Sequence, residues 1–182
     1  MNEFTDERND LLTGAKFSEN GIYRYALWRF WNYQAARDGE ARSVMFIMAN
    51  PSTAGAWRDD PTIRKCAKYA QGWGYDGVYI GNLFARIDTH FIPGLLTQEE
   101  MIGDQTDDWL GIMRNSSVLC IAAWGFMGGF HPERAKTVSA MFPVLYHLGL
   151  SKDGLPKHPL YLPAKLEPMI WGNEVESDIV FT

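Results

Sequence analysis

The sequence predicts a single α/β domain, with a parallel four-stranded central sheet flanked by helices and an N-terminal aromatic strand or hairpin added to it. Three observations carry this. Four short apolar runs of strand length recur at 43–49, 77–82, 117–124 and 144–150, and such runs without polar alternation suit strands buried on both faces. Segments with helical spacing and helix-cap residues separate them, which is the order of a parallel sheet with crossover helices. The chain has 182 residues, with 46% hydrophobic and 14% aromatic residues, enough for one core and too apolar for a disordered chain.

After a polar start, Ser18-Glu19-Asn20-Gly21 reads as a turn into the aromatic run Tyr23 to Trp31, where ring density favours a strand. Arg37-Asp38-Gly39-Glu40 turns the chain into the first apolar run. Asp60-Pro61 is an N-cap and first-turn pair for a helix through Ile63, Cys66, Ala67 and Ala70, ended by Gly72 or Gly74. Residues 98–115 predict a second helix with Met101, Trp109, Ile112 and Met113 facing the core, and His131-Pro132-Glu133 opens a third carrying Ala135, Val138 and Phe142. The domain is expected to span 1–182, with 1–16 and 171–182 as peripheral tails.

Composition excludes several classes. The longest apolar runs fall far short of the roughly 20 residues that cross a bilayer. The acidic N-terminus is unlike a secretory leader, so a cytoplasmic protein with no membrane partner is the expectation. Cys66 and Cys120 lack Cys-x-x-Cys spacing and read as core thiols, and the four histidines show no His-x-x-x-His pairing. No metal and no cofactor are expected. The formal charge of −5 argues against a nucleic-acid partner, but its distribution weakens that objection. Residues 1–10 carry −3 and 166–182 carry −4, which leaves +2 on the body between them. Arg58, Arg64, Lys65 and Lys68 cluster in one stretch of that body, and Lys152, Lys157, His158 and Lys165 in another.

In open α/β sheets the ligand crevice lies beyond the carboxyl ends of the strands. There the sequence places Asn50-Pro51-Ser52-Thr53, then Asn82-Leu83-Phe84, then Trp124-Gly125, and last Lys152 to Lys157-His158-Pro159. Two carboxamides and an imidazole should share one cleft. Each residue also has a plainer reading: an Asn at a strand end serves its own turn, and a His before a proline sits in a loop. Gly125, Gly128 and Gly129 either form a turn or cradle an anion with their amides. Asp59 and Asp60 invite a carboxylate-pair reading, although a helix cap accounts for Asp60. The chain has neither a P-loop nor a dinucleotide fingerprint, and no Gly-x-Ser-x-Gly elbow surrounds Ser52.

The series Tyr23-Arg24-Tyr25 to Trp31, Asn50-Pro51-Ser52-Thr53-Ala54, Asp59 to Cys66, Trp73-Gly74-Tyr75, Asn82-Leu83-Phe84-Ala85, Ala123-Trp124-Gly125 and His158-Pro159-Leu160-Tyr161 closely resembles the DUF1643 family over about residues 17–170. More distantly, its order and spacing are similar to the uracil-DNA glycosylase superfamily. That superfamily carries Gly-x-Asn/Asp-Pro after its first core strand, an Asn ending the second, a Leu-Gly-type end on the third and His-Pro-Ser last. Met48-Ala49-Asn50-Pro51, Asn82, Trp124-Gly125 and His158-Pro159-Leu160 stand in those places here.

The resemblance implies a monofunctional DNA glycosylase that hydrolyses the N-glycosidic bond of a modified base and leaves an abasic site. In these roles Asn50 holds the attacking water, Asn82 reads the base edge and His158 donates toward the departing base. An amide is no general base, so Asn50 would position the water more than deprotonate it. Pro51, Ser52 and Gly125 would line the substrate pocket, with Trp57, Phe84 and Trp124 as candidates to stack on the flipped base. Arg58, Arg64, Lys152 and Lys157 would contact DNA. Met48 stands where the superfamily has glycine and Leu160 where it has serine, which favours a modified or bulky base over plain uracil. A monomer is expected. The alternatives are a nucleic-acid or nucleotide-binding module without catalysis, and an enzyme acting on free nucleosides or nucleotides.

Overall fold

A computed structural model describes residues 12–52, 58–87 and 96–172. Its centre is strand β3, Ser43–Met48, in which every residue is buried. It lies between β4 (Gly77–Asn82) and β5 (Leu119–Ala122), both parallel to it, and β5 is followed by the parallel β6 (Leu145–His147). Alternation divides β3 between two cores. Met45 and Ile47 join one with Leu110, Met113 and Val138, while Val44, Phe46 and Met48 join the other with Ile63, Cys66 and Tyr69. A strand buried on both faces has no polar positions, which is why it reads as an unbroken apolar run.

The expected four-stranded parallel sheet is only the middle of a larger mixed one. Among the described residues the sheet has seven strands in the order β1-β2-β4-β3-β5-β6-β7. β2 (Arg24–Phe30) is antiparallel to β4, and β1 (Thr13–Phe17) is antiparallel to β2. β7 (Met169–Trp171) is antiparallel to β6 at the other edge. Antiparallel edges on a parallel centre need no crossover helix, so short pieces with weak patterns suffice. The segments expected to be tails are therefore sheet at their inner ends: Thr13 to Lys16 belong to β1 and Trp171 to β7.

Six helices accompany the sheet among the described residues: α1 Tyr33–Asp38, α2 Pro61–Gly72, α3 Gln98–Ile102, α4 Thr106–Asn115, α5 Met127–Phe130 and α6 Pro132–Ala140. The single helix expected over 98–115 is two. Thr97 opens α3 with a reciprocal capping box to Glu100, and Gly103 ends it at φ 78°, a conformation that side chains disfavour. A Cβ there would also fall 2.7 Å from Cδ1 of Tyr23. The chain then restarts as α4, after Asp104 has accepted the Tyr25 hydroxyl at 2.5 Å. Strands β5 and β6 are shorter than the runs 117–124 and 144–150, because those runs continue as apolar loop at the sheet's carboxyl edge. Cys66 and Cys120 are buried free thiols, and burial pushes Cys120 up to about 11.

Candidate functional site

A cleft of about 720 Å³ opens at the carboxyl edge of the parallel strands. Asn50 enters it from beyond β3, Asn82 from the end of β4, Trp124 and Gly125 from beyond β5, and His158 from the loop after β6. The topology explains the meeting: parallel strands joined by crossovers bring all their carboxyl ends to one side. The last loop is closed on itself, with a bridge between Leu150 and Pro156 and Lys157 N–H donating to Gly149 at 2.8 Å. This returns His158 to the sheet edge. Gly125, at φ 65°, lets the two loops touch, since a Cβ there would lie 3.3 Å from Cβ of His158.

Asn82 is the most unusual group in the cleft. It is 2% exposed, and neither its amide nitrogen nor its carbonyl oxygen has a hydrogen-bond partner in the chain. A buried polar atom left without a partner costs about 1–3 kcal/mol, and this amide has both its donor and its acceptor to offer to a group entering the cleft. Trp124 Nε1 is likewise buried without a partner, its indole held against Gly128 and edge-on to Trp171 at 5.2 Å. Asn50 donates to the Pro51 carbonyl at 3.3 Å.

His158 has a defined orientation. Its Nδ1 accepts the Leu160 N–H at 3.3 Å as the cap of the 3-10 turn Pro159–Tyr161, so the neutral ring carries its proton on Nε2. Burial lowers its pKa, and the charge of Asp60 opposes that more weakly. Protonation is therefore harder in the folded chain than in the unfolded one, where a histidine titrates near 6.5. The resulting stability is complete above about pH 6.5 and is lost as pH falls through that value toward the lower folded pKa. His147, whose pKa burial also lowers, acts in the same direction. The melting temperature should therefore drop between pH 7.5 and 5.5, and His147→Asn with His158→Asn should flatten the drop. An unchanged pH slope in that double variant would contradict this account.

Two cleft groups escaped the sequence reading as site residues. Asp60 caps α2 through Ile63 N–H at 2.8 Å, as expected, but its other oxygen accepts the Ser52 hydroxyl at the cleft wall. Arg24 lines the same wall at 3% exposure. Burial pulls its guanidinium down to about 10, with Asp60 acting upward and Arg29 downward, so it stays cationic at neutral pH. Asp59 pairs instead with Arg29 at 2.8 Å, so the two aspartates do not form a carboxylate pair. The turn reading of the glycine segment holds for Gly128 and Gly129, whose amides donate to the carbonyls of Gly125 and Phe126.

Of the residues expected at the site, Asn50, Ser52, Asn82, Trp124, Gly125, Lys157 and His158 line the cleft. Phe84 does not. It is buried in the core on the α4 side, edge-on to His131 at 4.9 Å, because Leu83 and Phe84 donate in succession to Met48 and Ala49 and so break the alternation that would keep Phe84 beside Asn82. Pro51, which is buried, and Arg58, Arg64 and Lys152, which are exposed, all lie away from the cleft lining. Trp57 lies outside the described residues. No group of three or more His, Cys, Asp and Glu side chains converges among the described residues, and no helix among them is long and apolar enough to cross a membrane.

A family model described as a protein of unknown function (DUF1643) matches residues 24–160. No curated protein and no solved structure matches the chain.

Proposed function

The chain belongs to the DUF1643 family, and from the cleft that the matched segment builds we propose that it hydrolyses the N-glycosidic bond of a modified base in DNA, leaving an abasic site. The observation that carries this reading is Asn82. A carboxamide offers a donor and an acceptor side by side, the pattern that pairs with a nucleobase edge, and here both atoms are buried at a cleft without partners.

The neighbouring groups support the chemistry. Breaking a base–sugar bond develops positive charge on the sugar and negative charge on the base. The Nε2–H of His158 would donate to the base as that charge appears, and its depressed pKa makes it a neutral donor at pH 7. Asn50 would orient the attacking water. Arg24 and Asp60 bring one fixed charge of each sign to the wall. A second reading, turnover of free nucleosides, is favoured by one observation: of the four cations expected to contact DNA, only Lys157 lines the cleft.

The test is a screen of single- and double-stranded DNAs carrying different modified bases for alkali-labile strand breaks, run beside the corresponding free nucleosides. Base release from DNA that weakens steeply with added salt supports the first reading, whereas salt-insensitive release from nucleosides alone supports the second. Asn82→Ala should lower affinity for the released base by about 10-fold or more, since it removes two buried hydrogen bonds of roughly 1 kcal/mol each. Unchanged affinity in this variant would remove the basis of the proposal.

A further inference from the structure

We infer that the cleft takes its base from an unpaired strand of DNA, with neighbouring bases stacked on Phe126 and Tyr161 at the mouth. The identity of the enclosed group as a base rests on the reading above. The strand preference rests on a different feature. Phe126 and Tyr161 both line the cleft, yet they are 71% and 84% exposed. Phe130 adds a third ring at 60% exposure, edge-on to Phe126 at 5.8 Å and 81°.

Single exposed hydrophobic residues need no explanation, but three rings beside one opening form a patch of the kind that marks a contact surface. Phe126 and Phe130 are four residues apart around the turn of α5, so they share a face. That turn is held from beneath, where Gly128 lies so close to the Trp124 indole that a Cβ would come within 2.4 Å of it. The rings are thus carried on a fixed support. Tyr161 stands over the site itself, its ring 5.8 Å from that of His158.

The chemistry of the surroundings selects the occupant. Arg24 and Lys157 line the cleft against Asp60 and Asp153, so its wall is charge-balanced. The loop that carries His158 and Tyr161 holds Lys152, Lys157 and Lys165 against Asp153 over residues 151–165, a positive balance outside the wall that suits a phosphate backbone. Aromatic faces beside cations are the combination that binds single strands, because every base has a face to stack. In a duplex those faces are already covered by neighbouring pairs, so an intact helix offers Phe126 and Tyr161 nothing to stack on.

The experiment is fluorescence anisotropy with labelled 15-residue oligothymidylate and with the same strand annealed to oligoadenylate, at one low salt concentration and with the full chain. The single strand should bind at least about 10-fold more tightly than the duplex. Phe126→Ala and Tyr161→Ala should each weaken single-strand binding by about 5- to 150-fold, and Phe126→Trp should retain it. Both side chains are exposed, so melting curves of the variants should match the parent. Equal affinity for duplex and single strand, no binding of the oligothymidylate, or wild-type binding by both alanine variants would overturn the inference. Base release from duplex DNA by a fully active Phe126→Ala variant would overturn this inference alone. Ring-dependent strand binding with no base release anywhere in the screen would instead sink the hydrolase reading.

Discussion

On the proposed reaction, Asn50→Ala is expected to lower base release by about 100-fold or more while changing DNA affinity by less than about 3-fold. A displaced nucleophile of this kind typically costs on the order of 100-fold, and a water-positioning group acts on the transition state more than on the bound ground state. Asn50 lies just beyond β3, where the chain leaves the sheet for the cleft. Its amide can hold a water but cannot take its proton. Asn50→Asp keeps the shape and adds a proton acceptor, so turnover should persist in that variant and rise with pH as the new carboxylate ionises. Single-turnover rates beside oligonucleotide anisotropy would separate the two effects. An Asn50→Ala rate equal to the parent's, with Asn82→Ala impaired, would leave base recognition standing and remove Asn50 from the chemistry.

The convergence of Asn50, Asn82 and His158 was legible because it follows from strand direction alone: buried runs alternating with helices imply parallel strands, and parallel strands share a carboxyl edge. What escaped depends on local departures from regular geometry. Arg24 is one case. Opposite the shift between Lys16 and Phe17, the register passes from Ala26 directly to Arg24, so β2 carries one extra residue at Tyr25. Such a bulge re-aims the side chains beyond it. It sends Tyr25 to Asp104 and Arg24 to the cleft wall, a reversal that unbroken alternation does not foretell. Phe84 was lost in the same way, at the point where the chain leaves β4.

Asp60 escaped for a different reason. A capping residue accounts for itself locally, and nothing in its spacing says that its second oxygen will face a ligand. A signal was nevertheless present, because α2 follows the carboxyl edge of β3 and a helix in that position starts at the crevice. Of the lysines and arginines in the basic clusters, only Lys157 reaches the cleft, because charge runs carry no direction. Arg64 turns back to the Asp59 carbonyl and Lys65 reaches the Leu162 carbonyl, so each helps hold neighbouring chain in place. The exposed rings at 126, 130 and 161 had no sequence signal, since a phenylalanine bound for the surface is indistinguishable in pattern from one bound for the core.

Arg134→Met is expected to destabilise the domain by about 3 kcal/mol, the lower end of what breaking a buried ion pair costs. Arg134 is buried on α6, and its guanidinium joins three elements. It forms a bidentate pair with Asp107 of α4 at 2.5 and 3.0 Å, and its Nε donates to the Leu83 carbonyl at 2.8 Å. The Asp107 side chain is 47% exposed, so water will take it up when the arginine is gone, which keeps the cost from the upper end of the range. The Leu83 carbonyl has no such recourse, because Leu83 is fully buried. Methionine preserves much of the volume, so the loss measures the polar contacts more than a cavity. For a domain of this size about 3 kcal/mol lowers the melting temperature by roughly 6–12 °C. Asp107→Ala should cost at least as much, because it leaves the buried guanidinium without its anionic partner, and the double variant little more than Arg134→Met alone, since the pair is already broken. The site should feel the change as well. Leu83 follows Asn82 directly, so its carbonyl anchors the backbone that holds the unpartnered amide at the cleft. At a temperature where both variants are fully folded, the affinity of Arg134→Met for the proposed base ligand should therefore fall while that of Asp107→Ala does not, because only the arginine touches Leu83.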